Sequence, residues 1–253
     1  MPPPCSILLT GASSGIGRAL AIAYAAPGVT LALGGRDSIR LEAVAQDCRT
    51  KGAVVSTRCL DVSDGGAVAG WVEDAEAAAP LDLVIANAGI SAGTGGGGES
   101  AEQVRQIFAV NVDGAINTVL AALPAMRARR YGQVAIMSSL AGFVGFPGAP
   151  AYCASKAAVR VWGESLRGWL FPEGIRVSVI CPGFVESRIT DKNNFYMPFL
   201  MPADHAAKII LRRLASDTPR IAFPWPMLAA VRLLAALPPG LIDAVGRRLP
   251  RKS

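Results

Sequence analysis

The chain has 253 residues, 51% hydrophobic and 17% charged, with five cysteines and one histidine. That length suits one domain around a large buried core, and the excess of apolar over charged residues excludes a disordered chain, a collagen-like repeat and a solenoid of polar repeats. The formal charge of +6 is uneven: from His205 onward nine Lys and Arg face two Asp and Glu, while residues 1–204 carry a net −1. With neither interleaved aromatics nor a reading helix, this basic tail does not read as a nucleic-acid interface.

In chain order, the N-terminus MPPPCSILL lacks the basic region and the length of a signal peptide, so the chain is expected to stay in the cytoplasm. Apolar runs rich in Val, Ile and Leu predict strands at Ser6–Leu9, Thr30–Gly34, Val54–Cys59, Leu81–Ala86, Gln133–Ser138, Arg176–Cys181 and Arg220–Phe223. Helical patterns fall between them: Gly15–Ala25, Ser38–Lys51, Asp64–Ala78, one long helix Ala101–Arg130, Ala151–Leu170 and Pro202–Ser216. The alternation predicts βαβ units with right-handed crossovers, and so a doubly wound, Rossmann-like α/β fold with seven parallel strands and helices on both faces. The run Gly93–Gly98, broken only by Thr94, reads as a flexible loop. The stretch Tyr131–Ser155 carries no charge but holds Pro147, Pro150 and several glycines, so it is no spanning helix. Cys5, Cys48, Cys59, Cys153 and Cys181 show no CxxC spacing and His205 stands alone; no metal-ligand set is readable, and reduced thiols are expected. The domain is expected to span residues 1–223, with a helical, basic extension over 224–253.

Thr10-Gly11-Ala12-Ser13-Ser14-Gly15-Ile16-Gly17 follows the first strand and opens a helix. Glycines at 11, 15 and 17 let the backbone turn tightly and approach a pyrophosphate, and the helix N-terminus offers free N–H groups and a positive dipole end. The strand before and the helix after are the context that a dinucleotide site requires. Where an NAD-specific site carries an acid at the end of the second strand, this chain has Gly34-Gly35-Arg36. A guanidinium pairs with a 2′-phosphate through two hydrogen bonds, so NADP(H) is the expected cofactor, the alternative being an ordinary exposed loop arginine. Asp61 and Val62 follow the third strand and would flank the adenine; Asp61 could equally cap a turn.

Tyr152 and Lys156 lie four apart on a predicted helix and share one face. A cation there stabilises the phenolate and makes Tyr152 usable as an acid/base below its ordinary pKa of about 10. Ser139 lies at the C-terminal end of the fifth strand, the sheet edge where ligands bind.

Together these residues resemble the single-domain branch of the short-chain dehydrogenase/reductase family. The resemblance covers roughly residues 5–190 and rests on Thr10–Gly17, Asp61-Val62, Asn87-Ala88-Gly89, Asn111, Ser138-Ser139, Tyr152-Cys-Ala-Ser-Lys156 and Pro182-Gly183. It implies that Tyr152 donates the proton in carbonyl reduction, and that Lys156 lowers its pKa and holds the nicotinamide ribose. It further implies that Ser139 bonds the substrate carbonyl and Asn111 holds a water linking Lys156 to solvent. Asn87, Ala88 and Gly89 would line the cofactor cleft, and Pro182 and Gly183 would pack by the nicotinamide. The family usually has Thr at the sixth position of PGxVxT; here Pro182-Gly-Phe-Val-Glu-Ser187 keeps the hydroxyl. Of the adjacent serines, which point opposite ways on a strand end, spacing and resemblance favour Ser139 for the substrate and leave Ser138 to the backbone. Cys153, beside Tyr152, is read as inert.

The segment Phe184–Met201, with Phe184, Ile189, Phe195, Tyr196, Met197, Phe199, Leu200 and Met201, is the family's variable lid; so apolar a lid suggests an apolar carbonyl or alcohol substrate, or packing against the protein itself. Phe143, Val144 and Phe146 extend that wall. From Pro224 two apolar helical patterns flanked by Arg232, Arg247, Arg248, Arg251 and Lys252 suggest weak membrane-surface association, a pocket cover or a subunit interface. The resemblance also implies a homodimer or homotetramer built on the two longest helices. The rival reading is a non-catalytic NADP(H)-binding sensor or scaffold, which would have no use for Asn111, Ser139, Tyr152 and Lys156 together; an epimerase would want a longer C-terminal substrate domain.

Overall fold

The computed structural model describes residues 3–92, 98–191, 193 and 195–246. Seven parallel strands form one sheet: β1 (Ser6–Thr10), β2 (Thr30–Gly35), β3 (Val54–Cys59), β4 (Leu83–Ala86), β5 (Gly132–Met137), β6 (Ile175–Pro182) and β7 (Arg220–Phe223), in the order β3-β2-β1-β4-β5-β6-β7. The central strands read as continuous apolar runs because both of their faces are buried. Ile7 and Leu9 of β1 feed one core and Leu8 the other; Leu83 and Ile85 of β4 oppose Val84 in the same way, as the two-residue side-chain period of a strand demands. One core is closed by α1 (Gly15–Tyr24), α2 (Ser38–Thr50) and α7 (Ala203–Ala215), through Leu20, Val44 and Ile210. The other is closed by α3 (Gly65–Ala78), α5 (Gly114–Arg129) and α6 (Pro150–Leu170), through Trp71, Leu123 and Leu166.

The doubly wound fold and seven parallel strands are as the sequence predicts. One element differs: the long helix is α4 (Ala101–Phe108), a π-helical turn over Ala109–Asp113, and then α5. Its 29 residues are long and apolar enough to cross a membrane, but half of the most apolar window is buried within the fold. β4 begins two residues late, since Asp82 turns its carboxylate to the N–H groups of Cys5 and Ser6 at 2.7 and 3.1 Å. After β7 come α8 (Trp225–Ala235) and α9 (Pro239–Gly246). Met227 and Leu228 of α8 pack with Leu140, Val179 and Cys181, so the segment after Pro224 begins as part of the fold. Residues 93–97 of the glycine run and the basic residues Arg247, Arg248, Arg251 and Lys252 lie outside the described residues.

Because all strands are parallel, their C-terminal ends share one edge. The chain winds from β1 out to β3 and then crosses to β4, so the crevice between β1 and β4 is the switch point at which open α/β sheets bind ligands.

Candidate active site

The chain leaves β1 through Gly11 at φ +67° and enters α1 through Gly15 at φ +53°, left-handed values that favour glycine. A Cβ at Gly17 would stand 2.1 Å from the Gly11 carbonyl oxygen, and one at Gly11 would stand 2.8 Å from Ala88 Cα. Side chains of Asp37, Asp64 and Ser100 cap α2, α3 and α4 by accepting from backbone N–H groups, but Ser14 makes no such bond at the start of α1. Bare backbone, first-turn amides without a side-chain cap and the positive dipole end make a donor set that a pyrophosphate fits. Within the same loop Ser13 stands against Gly35, and Ile16 packs on the core.

Thr10 ties this loop to the next. Its Oγ1 accepts from the N–H of Asn87 at 3.0 Å and of Ala88 at 3.1 Å, and Asn87 Nδ2 donates to the carbonyls of Thr10 and Gly11 at 3.0 and 3.2 Å. Thr10 opens the motif read in the sequence, where no role was given to it; a hydroxyl closing an otherwise apolar strand was the available signal. Beyond β2, the Arg36 guanidinium lies 3.6 Å from the Asp61 carboxylate. Asp61 also accepts from Ser63 N–H at 2.9 Å and Oγ at 2.8 Å. Burial pushes its carboxyl up, but the Ser63 bonds and Arg36 outweigh this and hold it below the ordinary value. Asp61 therefore closes a turn, as one of its two readings had it, and also faces Arg36. Val62 is buried against Gly114, where a Cβ would meet it at 2.4 Å.

α6 brings Tyr152 and Lys156 to the same edge. Lys156 Nζ lies 5.8 Å from the centre of the Tyr152 ring and donates to the Met137 carbonyl at 3.0 Å. Across Gly89, a Cβ would stand 3.1 Å from Lys156 Nζ and 3.2 Å from Asn111 Oδ1, so only a bare backbone passes between them. Asn111 sits in the π-helical turn; it accepts from Ile90 N–H at 2.8 Å and donates to the Ile90 carbonyl and to Ser155 Oγ, both at 3.0 Å. Ser138 donates to the Lys156 carbonyl at 2.7 Å, while Ser139 lies close enough to the Tyr152 phenol to lower its pKa. Ser139 Oγ also accepts from Ala141 N–H at 3.1 Å and lies 3.4 Å from the Pro182 carbonyl.

The electrostatics differ from the expectation drawn from the Tyr-x-x-x-Lys spacing. Burial raises the Tyr152 pKa above its ordinary value and nearby Ser139 only partly offsets this; burial also lowers Lys156 to about 8. Desolvation disfavours the charged form of each. Burial likewise raises the Cys153 thiol.

At the end of β6, Gly183 N–H donates to the Phe223 carbonyl at 2.7 Å, and a Cβ there would meet Met227 Sδ at 2.9 Å. Ser187 stands over Gly15, 2.9 Å from where a Cβ would be, and its N–H donates to Thr190 Oγ1 at 2.8 Å. A cleft of about 340 Å³ opens here between α1 and the start of α7, with Arg18, Arg188 and Asp191 in its lining. Of the expected lid, Phe184 and Phe195 pack edge to face at 6.1 Å, whereas Tyr196 is 84% exposed and Phe199 56%. Glu99 is a further residue the sequence reading missed: its Oε2 accepts from Ala151 N–H at 2.9 Å, next to Tyr152.

Comparisons with known proteins agree with this geometry. The family model described as short chain dehydrogenase matches residues 6–195. An uncharacterized oxidoreductase of Myxococcus xanthus is 42% identical over 244 residues, 96% of each chain. The probable oxidoreductase EphD of Mycobacterium tuberculosis is 33% identical over 195 residues, which is 76% of this chain but only 33% of that protein's length. Among solved structures, a short chain dehydrogenase/reductase from Burkholderia phymatum in complex with NAD has a TM-score of 0.82 at 27% identity, covering 98% of this chain and 96% of its own. The chain belongs to the short-chain dehydrogenase/reductase family and is an oxidoreductase built to use a nicotinamide cofactor.

Proposed function

We propose that the protein is an NADP(H)-dependent carbonyl reductase, working in reverse as a secondary-alcohol dehydrogenase, with a predominantly apolar small-molecule substrate. The observation that carries this reading is the meeting of Ser139, Tyr152 and Lys156 on the sheet edge that also carries the glycine cradle. The remaining cofactor contacts are assigned to the loops that share this edge, with Ser13, Ser14, Ile16, Asp61, Val62, Asn87, Ala88, Gly89, Pro182, Gly183 and Ser187 around the dinucleotide. Bound there, NADPH supplies the hydride.

The chain's own residues do the rest. Ser139 and Tyr152 donate hydrogen bonds to the substrate carbonyl oxygen and stabilise the charge that develops on it. The Tyr152 phenol, protonated at neutral pH and raised further by burial, transfers its proton to that oxygen. Lys156 offsets the phenolate left behind, and Asn111, across Gly89 from it, holds the water through which the proton is replaced. Arg36 exchanges the exposed Asp61 carboxylate for the 2′-phosphate, which it can grip through two hydrogen bonds. The half-buried aromatic pair Phe184–Phe195 supplies the apolar wall. We further propose a cytoplasmic homodimer or homotetramer joined through exposed Leu120, Val161 and Trp169 on α5 and α6, and weak attachment to anionic membrane surfaces through the tail.

Titration of the purified protein with NADPH and NADH, followed by ketones and aldehydes running from short and polar to long and apolar, tests the reading. Tight NADPH binding with turnover of the apolar members is expected. Tyr152→Phe should lower kcat by about 10²–10⁴-fold with cofactor affinity kept. A mutant as fast as wild type would remove Tyr152 from the chemistry, and binding without turnover of any carbonyl would favour a nucleotide sensor.

A further inference from the structure

The loop that begins at Ser139 is held at a point the reaction itself does not use. After a 3-10 turn over Leu140–Gly142 the chain presents Phe143, and two guanidinium groups lie against its ring: Arg160 of α6 at 4.7 Å and Arg220 of β7 at 5.4 Å from the centre. Both are paired with one carboxylate. Glu164 accepts from Arg220 Nε at 2.6 Å and from Arg160 at 3.2 Å, and Arg160 Nε also donates to the Gly142 carbonyl at 3.2 Å. The turn itself rests on the catalytic helix, since a Cβ at Gly142 would stand 2.7 Å from the Lys156 carbonyl carbon. Three parts of the chain, α6, β7 and the loop, are joined by this cluster of charges and one ring.

We propose that Glu164 is a positioning residue for the active-site loop: by holding Arg160 and Arg220 against Phe143 it fixes residues 140–147, and with them the Ser139 hydroxyl, relative to Tyr152. A carboxylate that orients two cations on one aromatic face does more than either pair alone, because each guanidinium loses its orientation when the shared acid is removed. The arginines pull the Glu164 carboxyl below its ordinary value against the opposing effect of burial, so the cluster is ionised at neutral pH. The effect on turnover rests on the carbonyl-reductase reading; the effect on the loop does not.

The test uses the full chain with NADPH bound and reads two quantities: hydrogen exchange of the peptide over residues 139–149, and kcat and KM for the carbonyl found above. Glu164→Gln and Phe143→Leu are expected to speed exchange in that peptide and lower kcat/KM about tenfold while NADPH affinity stays within about twofold, the scale expected when a reacting group is displaced rather than removed. Phe143→Tyr keeps an aromatic face for the cations and is expected to restore both readouts. Unchanged exchange in both disruptive variants would overturn the proposal. So would faster exchange with unchanged kinetics, or a Phe143→Tyr variant as impaired as Phe143→Leu. If Glu164→Gln does not fold, the two Phe143 variants carry the test. If the wild type turns over no carbonyl, the reductase reading falls and exchange alone decides whether Glu164 holds the loop.

Discussion

Lys156 is 3% exposed, and its ammonium donates to the Met137 carbonyl at 3.0 Å. Burial lowers its pKa to about 8, from 10.5 when free. Between those values the unfolded chain still holds a proton that the folded chain has released, so this group's contribution to stability rises with pH across that window and is least below it. Lys156→Met should therefore be more stable than wild type at pH 7, with the gap narrowing by about 2 kcal/mol by pH 10 in urea unfolding. A gap that does not change with pH would mean that the ammonium is not desolvated. Arg36 gives a second prediction at this scale. Its pairing with Asp61 at 3.6 Å leaves both side chains substantially exposed, 52% and 41%, so the pair contributes little and is readily exchanged. Arg36→Ala should weaken NADPH binding about 10- to 100-fold, the scale of charge-assisted hydrogen bonds, and leave NADH binding unchanged. Equal changes for both cofactors, measured by fluorescence titration, would take the 2′-phosphate away from Arg36.

At the scale of elements, what the sequence discloses is what backbone chemistry and side-chain period dictate. The glycine loop before α1 is legible because Gly11, Gly15 and Gly17 are demanded by positive φ and close approach, and those demands are local. The strands are legible because two buried faces require unbroken apolar runs. The π-helical turn is not: one residue more per turn over Ala109–Asp113 leaves the apolar pattern of Ala101–Arg130 almost unaltered, though it is where Asn111 meets Ile90 and Ser155. The upward shift of Tyr152 is also hidden. The spacing to Lys156 argues for a lowered pKa, but burial is a property of the packed whole and raises it, with Ser139 the opposing influence. Arg36 with Asp61, and Glu164 with Arg220, pair across 25 and 56 residues; no periodicity reports such contacts. The Glu99 carboxylate that meets α6 at Ala151 is invisible for the same reason.

For the whole molecule, the C-terminal segment divides into a part that supports the site and a part that projects from it. Met227 lies against Gly183, and with Leu228 it packs beside Leu140 and Phe143, so α8 braces the loop that leaves Ser139. Trp225 at 76%, Leu233 at 70% and Leu241 at 54% exposure face outward, near Arg232 and ahead of the four basic residues at 247–252. An apolar surface of this kind beside cations is suited to an anionic lipid interface. Two truncations separate the roles. Ending the chain after Ala235 keeps α8 and should leave NADPH affinity and turnover within about twofold of wild type, because Met227 and Leu228 stay packed on Leu140. The same truncation should reduce co-sedimentation with vesicles containing phosphatidylserine. Ending it after Phe223 removes Met227 and Leu228 from the Leu140 cluster and should cost at least about 2 kcal/mol, the scale of deleting packed apolar side chains, together with most of the activity. Vesicle binding that survives loss of the tail would exclude it as a membrane contact. Loss of turnover in the longer truncate, the one that keeps α8, would place the last 18 residues over the active site instead.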